Sequence, residues 1–434
     1  MNRLKLCILS AAAIFAGMTT ATAQQPVQMT LDQALEVALS ESNTIKMADM
    51  TIEKSGYAKK GSYASLYPNI SASGSYQRTL LKQVMVMDMG GNPMEIKVGR
   101  DNNINVGATA SMPLVNAQLW QSLKLSALDV EMAIEQARSS KVSLISQVKQ
   151  AFYGALLATE SLDLMRQVYD NAEKNYDRTM QRYNVGKASE QEMLRAKVNM
   201  MNAEPNVSSA ENTVELATWQ LKALMGINLD TEIEVVGNLE DYTPDMLLLD
   251  AGNDLGNNSA LQQFGIQLKQ LDATLKMQKA QYIPTLAASI GYNYMAMGDN
   301  ELSWHPTSTA ALSLNIPIFD GLSKHYSIKQ TRKTIDMLNL QKEDTERNLR
   351  IAMKNYTDKM ALCLKNYDAA KNTVDLALKS YQISEKMYEI GKITLVDLND
   401  AQLALTQSQL TMNQAIYDYM VAKASLDELL GKEE

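Results

Sequence analysis

The chain has 434 residues, 21% of them charged, with a formal net charge of −8 and two cysteines. This acidic balance disfavours nucleic acid as a partner. Four Phe and twenty Gly, set against abundant Ala, Leu, Gln and Met, describe long helices rather than a thick globular core. His305 and His325 are isolated, and no nucleophile–base motif or phosphate-binding loop appears, so neither an enzyme class nor a resident metal or cofactor is indicated.

Arg3 and Lys5 precede an apolar run from Leu6 to Met18, and Ala21-Thr22-Ala23 follows as a small-x-small site. These are the three parts of a secretory signal, which predicts a leader over 1–23 cleaved after Ala23. The run is short for a bilayer span. Losing Arg3 and Lys5 makes the mature chain more acidic, and losing Cys7 leaves Cys363 without an internal disulfide partner. No later stretch is apolar enough for a membrane helix, so a membrane location requires a β-barrel.

Ile70, Ala72, Gly74 and Tyr76 alternate with small polar residues and predict a first strand, just after Leu66-Tyr67-Pro68. Met85, Met87, Met89 and Met94 then crowd an expected surface loop. Thioethers suit soft ions such as Cu(I) or Ag(I), although most other methionines fall where Met is a packing filler. Ile104, Val106, Ala108, Ala110 and Met112 predict a second strand. From about residue 116 to 183 apolar residues recur three and four apart, through Leu123, Val130, Leu144, Val148, Leu162 and Tyr176, with Lys141 and Thr179 as interruptions. That spacing is a coiled-coil seam, on a helix of roughly 100 Å at 1.5 Å per residue. Gly186 marks a reversal, and a return helix follows through Ala196, Ala203 and Leu221, in which Pro205 predicts a kink. The segment 227–257 is rich in Asp and Glu and reads as a solvated acidic linker with some short structure of its own.

The remainder repeats the order. Leu286 to Tyr294 and Ala310 to Ile316 alternate as strands, Leu349 to Tyr388 carries a second seam, and Gly391 marks a second reversal before the last helix. Tyr183-Asn184-Val185-Gly186-Lys187 recurs as Tyr388-Glu389-Ile390-Gly391-Lys392, and Leu224-Met225-Gly226 as Leu429-Leu430-Gly431, at one shared offset. The chain therefore divides into a leader (1–23), a first repeat (24–226), the linker (227–257) and a second repeat (258–434). Four strands with one apolar face are too few to close a barrel, so the strands predict association of several chains.

Taken in this order, the Pro-flanked strands, the paired Tyr-x-x-Gly turns and Val396-Asp397-Leu398-Asn399-Asp400-Ala401 resemble the TolC-like outer-membrane efflux family over essentially the whole mature sequence. The resemblance implies a mainly α fold with a small β-barrel portion. Long antiparallel coiled-coil helices would form a trimeric periplasmic tunnel, and four strands per chain would enter a shared 12-stranded barrel in outer-membrane lipid. It also implies docking to a periplasmic adaptor (membrane fusion protein) and an inner-membrane pump, as the exit duct of a tripartite efflux pump or a type I secretion system, with no cofactor. Carried over by position, Asp397 and Asp400 would ring the periplasmic entrance, and Glu192 and Tyr388 would help latch it closed. Ile393 stands where the family's latch arginine is expected. The turn residues Gly186, Lys187, Gly391 and Lys392 are the candidates for adaptor contact. The competing reading is a wholly periplasmic coiled-coil adaptor, which would lack lipid-facing strands.

Overall fold

In a computed structural model, residues 27–88, 93–246, 254–299 and 301–433 are described; the expected leader 1–23 and Met89 lie outside them. The elements are β1 (Val27–Met29), α1 (Leu31–Glu41), α2 (Asn43–Ala64), β2 (Asn69–Arg78), β3 (Gln83–Asp88), β4 (Pro93–Val98), β5 (Asn102–Val115), α3 (Ala117–Asn184), α4 (Glu190–Met225) and β6 (Ile233–Val235). A 3-10 turn over Leu239–Asp245 follows, then α5 (Ser259–Ala280), β7 (Thr285–Gly298), β8 (Ser303–Asn315), α6 (Ser323–Glu389) and α7 (Leu395–Leu430). The seams expected from the sequence fall on unbroken helices of 68 residues (α3) and 67 residues (α6). The return helix α4 is continuous through Pro205.

The contacts define two compact units that cut across the sequence repeats: one spans Met47–Ser140 with Leu255–Arg350, and the other the described part of Met1–Lys46 with Lys141–Asp254 and Ile351–Glu434. The first unit contains a four-stranded antiparallel sheet in the order β2-β5-β7-β8. Its register gathers the alternating residues into two unlike faces. Tyr76 opposes Ile104, Val106 opposes Tyr294, Ile290 opposes Ala310, and Leu286 opposes Leu314 on one face. On the other, Ser73 opposes Gly107, Thr109 opposes Gly291, and Asn293 opposes Thr307. On the apolar face Ile290 and Leu312 remain 66% and 72% exposed. The two prolines in the sheet sit where a missing N–H is tolerated: Pro113 at the irregularity just before the last β5–β7 pair, and Pro306 on the outer strand β8. Tyr294 and Trp304 stack at 5.1 Å.

The loop expected around the methionines is instead a separate hairpin, β3–β4. Its base is tied to the β7–β8 turn by Asp299. That carboxylate accepts from Lys82 Nζ (2.9 Å), the Asp101 amide (2.9 Å) and Arg100 (3.2 Å). The Lys82 bond, helped by the Asp101 amide and Arg100, lowers the Asp299 carboxyl to about 2 from an ordinary 3.8. A depressed carboxyl stabilises fully above its unfolded value and loses that contribution as pH falls through its folded value. The tie is therefore complete above roughly pH 4 and lost toward pH 2. Asp299→Ala removes the acceptor at every pH. Amide exchange at Asp101 should then be fast at neutral pH in the variant and slow in the parent protein, and equal rates would exclude the tie.

In the second unit the seam residues Val148, Ala155 and Leu162 are buried, and so are Phe152 and Leu156 off the seam, so α3 packs on more than one side here. Burying each large apolar side chain contributes about 1.5–3 kcal/mol. Ile416, Tyr419 and Leu426 of α7 are equally enclosed, and Ser146 donates to the Ala424 carbonyl at 3.3 Å. Burial pushes the Cys363 thiol up.

The described part of the 227–257 segment carries short structure that docks onto the helical unit. Strand β6 pairs in parallel with β1, Val27 opposite Ile233. Leu239 is fully buried, its amide donates to Glu160 at 2.5 Å, and Tyr242 meets Tyr153 edge-on at 5.0 Å. Burial pushes the Glu160 carboxyl up, opposed by the Leu239 amide. Local composition signals charge, but three apolar residues placed among the carboxylates dock the segment.

Candidate functional site: the hairpin tips of the helical unit

The helices reverse twice in this unit, by the same device each time. Gly186 and Gly391 adopt φ of +71° and +70°, left-handed values that favour glycine. Lys187 N donates to Arg182 O at 2.7 Å, and Lys392 N to Met387 O at 2.8 Å. Each following helix opens on a capping box. Ser189 and Glu192 exchange bonds at the start of α4, and Thr394 and Asp397 do so at the start of α7.

The capping chemistry occupies two of the expected site residues. Glu192 accepts from the Ser189 amide at 2.8 Å. Asp397 accepts from the Thr394 hydroxyl at 2.7 Å and its amide at 2.9 Å, and the hydroxyl bond, then the amide bond, hold its carboxyl below the usual range. Asp397 and Asp400 are both exposed, three residues apart, and share a helix face. Asp400 also lines a cleft of about 450 Å³ between α3, α4 and α7, where Met165, Val168, Leu403 and Leu410 stand beside Asn199 and Asn202.

Tyr388 is the centre of the site. It is 8% exposed and packs with Ala196 of α4 and with Leu395 and Leu398 of α7; Tyr176, Tyr381 and Ile393 close around that cluster. Its phenol lies 3.1 Å from the Thr179 hydroxyl, and Thr179 in turn donates to Asn175 O at 2.7 Å. Thr179 has one proton, already committed to Asn175, so Tyr388 is the donor. Arg182 stands over the Tyr388 ring at 5.8 Å, and Arg178 pairs with Glu389 at 3.4 Å. The tips of the two hairpins are thereby packed side by side.

Among the described residues no hydrogen bond joins Glu192 to Tyr388. Ile393 contributes apolar packing at the position of the expected arginine, while the nearby cations are Arg178 and Arg182 on α3. Sequence reading passed over those two arginines. The available signal was Thr179, a polar interruption of the seam that needs a buried partner. The repeat symmetry is broken here: Tyr183, the first-half counterpart of Tyr388, is 38% exposed.

Paired long helical hairpins, in one chain with a sheet that is apolar on one face and polar on the other, define an outer-membrane duct protein. Among the described residues no helix is long and apolar enough to cross a membrane.

The chain belongs to the outer membrane efflux protein family, whose sequence model matches residues 34–227 and 252–432. It is 24% identical to outer membrane protein TolC of Escherichia coli over 363 residues, covering 76% of this chain and 71% of that protein. It is also 24% identical to the cobalt-zinc-cadmium resistance protein CzcC of Cupriavidus metallidurans over 321 residues, covering 72% and 74%. The fold matches the Campylobacter jejuni CmeC outer membrane channel with a TM-score of 0.74 at 18% identity, over 92% of this chain and 85% of that one. The protein is thus a component of an outer-membrane efflux duct and not an enzyme, with a long periplasmic helical extension.

Proposed function

We propose that this chain is one of three identical subunits of a passive exit duct gated at its periplasmic end. The observation that carries the reading is the four-stranded sheet, whose unlike faces suit lipid and water and whose outer strands β2 and β8 have no further neighbour among the described residues. An unpaired strand edge in lipid is costly, and three such sheets joined β8 to β2 leave none. In this assembly the helical hairpins form the tunnel, the turns at Gly186, Lys187, Gly391 and Lys392 meet a periplasmic adaptor, and an inner-membrane pump supplies and selects the cargo. One relative, CzcC, is a cobalt-zinc-cadmium resistance protein, which fits a duct shared among cargoes. The adaptor alternative gives no use for the two-faced sheet.

The first test is the mass of the mature protein in detergent after outer-membrane fractionation. A trimer is the expected outcome, and a soluble periplasmic species would sink the reading. The entrance ring is tested separately by single-channel recording. Asp400→Asn removes charge without touching a cap, whereas Asp397→Asn also disturbs the Thr394 box. With Asp400 at the constriction, Asp400→Asn should lower the cation-over-anion preference at least roughly twofold. Unchanged selectivity would make Asp400 an ordinary solvated carboxylate.

A further inference from the structure

Hairpin β3–β4 forms a sheet of its own, separate from the four-stranded sheet. Its register sets Met87 opposite Met94, Met85 opposite Ile96, and Gln83 opposite Val98. Directly opposed residues share a face, as do residues two apart on one strand. Met85, Met87 and Met94 therefore lie together on one face. They are 44%, 43% and 51% exposed. The other face carries Val84 and Val86 opposite Lys97 and Glu95.

The two faces use different chemistry. On the charged face the apolar positions are valines, which suit a pleated strand. On the other they are mostly methionines, which strand formation does not favour over valine or isoleucine. The opposed pair Met87 and Met94 have Cβ atoms about 4.5–5.5 Å apart, and Met85 is one pleat away, about 7 Å along the strand. Methionine's flexible, unbranched chain lets three thioethers at these spacings converge on one point. Thioether sulfur is soft and uncharged, and it selects Cu(I)-like ions over the hard cations that carboxylates hold. Among the described residues, no group of three or more His, Cys, Asp or Glu is arranged to hold a metal ion.

We propose that Met85, Met87 and Met94 form a three-thioether site for a soft monovalent cation, Ag(I) or Cu(I), on the methionine face of this hairpin. The site does not depend on how the duct assembles, because all three ligands belong to one hairpin of one chain. The thioether sulfurs replace water bound to the ion, which keeps its oxidation state.

The test compares the full mature protein in detergent with the triple variant M85L/M87L/M94L. Leucine keeps the face apolar and nearly conserves volume, so a purely packing role survives the change. Both proteins are dialysed to equilibrium against silver nitrate, and bound silver is counted by elemental mass spectrometry. The remaining methionines and Cys363 contribute equally to both. The triple variant should bind one Ag(I) fewer per chain while binding of Zn(II) is the same in both. Equal silver counts would overturn the site and leave the methionines as an apolar face. If the triple variant fails to reach the outer membrane, M94L alone should weaken the tightest silver-binding event at least tenfold, and unchanged affinity overturns the proposal.

Discussion

Gly226→Ala should lower the apparent melting temperature roughly two to three times further than Gly186→Ala, although the two glycines share one backbone conformation. Their φ values are +73° and +71°. An L-residue in the left-handed region costs about 1–2 kcal/mol at either position. The surroundings differ. A Cβ at Gly186 meets nothing within 4 Å, whereas one at Gly226 lies 2.7 Å from Glu41 O and 2.9 Å from Ser42 Cα. Both of those are backbone atoms at the end of α1, which cannot swing aside as a side-chain tip would. Forced overpacking of this kind adds about 1–3 kcal/mol. Thermal unfolding of the two variants, read with the amount of folded protein in the outer membrane, checks the difference. Equal losses would mean that α1 gives way and that the close approach is not structural.

Tyr388→Ala should loosen both hairpin tips, and Tyr388→Phe should have a far smaller effect. Truncating a buried large aromatic costs about 3–5 kcal/mol. Here the ring is the shared contact of Ala196, Leu395 and Leu398, so the loss falls on α4 and α7 together. The phenylalanine variant loses only the bond to Thr179, about 0.5–1.5 kcal/mol, and Thr179 keeps its own bond to Asn175. Hydrogen exchange of the Gly391 and Lys392 amides, which close the turn on Tyr388 O and Met387 O, reads the packing directly. In the alanine variant these amides should lose most of their protection. Resting conductance reads the gate. A rise in exchange with unchanged conductance would retain the packing role and remove the latch, whereas unchanged exchange would remove both.

The same residues show where sequence reading succeeds. The α3 seam was legible because every residue on it obeys one period, and a helix of this length imposes that period over many turns. The four strands of the main sheet were legible because alternation over about ten residues is a local pattern. The reversals at Gly186 and Gly391 needed only a glycine between two periodic segments. Hairpin β3–β4 read as a loop because its strands are six residues each, and methionine carries a weak strand signal. Strands β1 and β6 are three residues each, and their pairing joins positions some two hundred apart in the chain, beyond any local window.

From the sequence alone follow the types of the long elements, the internal duplication and the two-faced strands of the main sheet, since each rests on periodicity or repetition, and the expectation of partner chains rests on counting strands. Packing decided the rest. Thr179 looked like a flaw in a seam until Tyr388 was found donating to it, and Tyr388 looked equivalent to Tyr183 until one was buried and the other left outside. Asp397 and Glu192 were chosen for their charge, yet both spend hydrogen bonds on their own helix caps. The acidic 227–257 segment is anchored by Leu239 and Tyr242 on α3, through a hydrogen bond from Leu239 to Glu160. For Thr179, Tyr388 and Leu239 the deciding partner lies far away in sequence, whereas Asp397 and Glu192 bond to a residue only three positions back. A side chain's burial and its distant hydrogen-bond partners are properties of what surrounds it rather than of its neighbours along the chain.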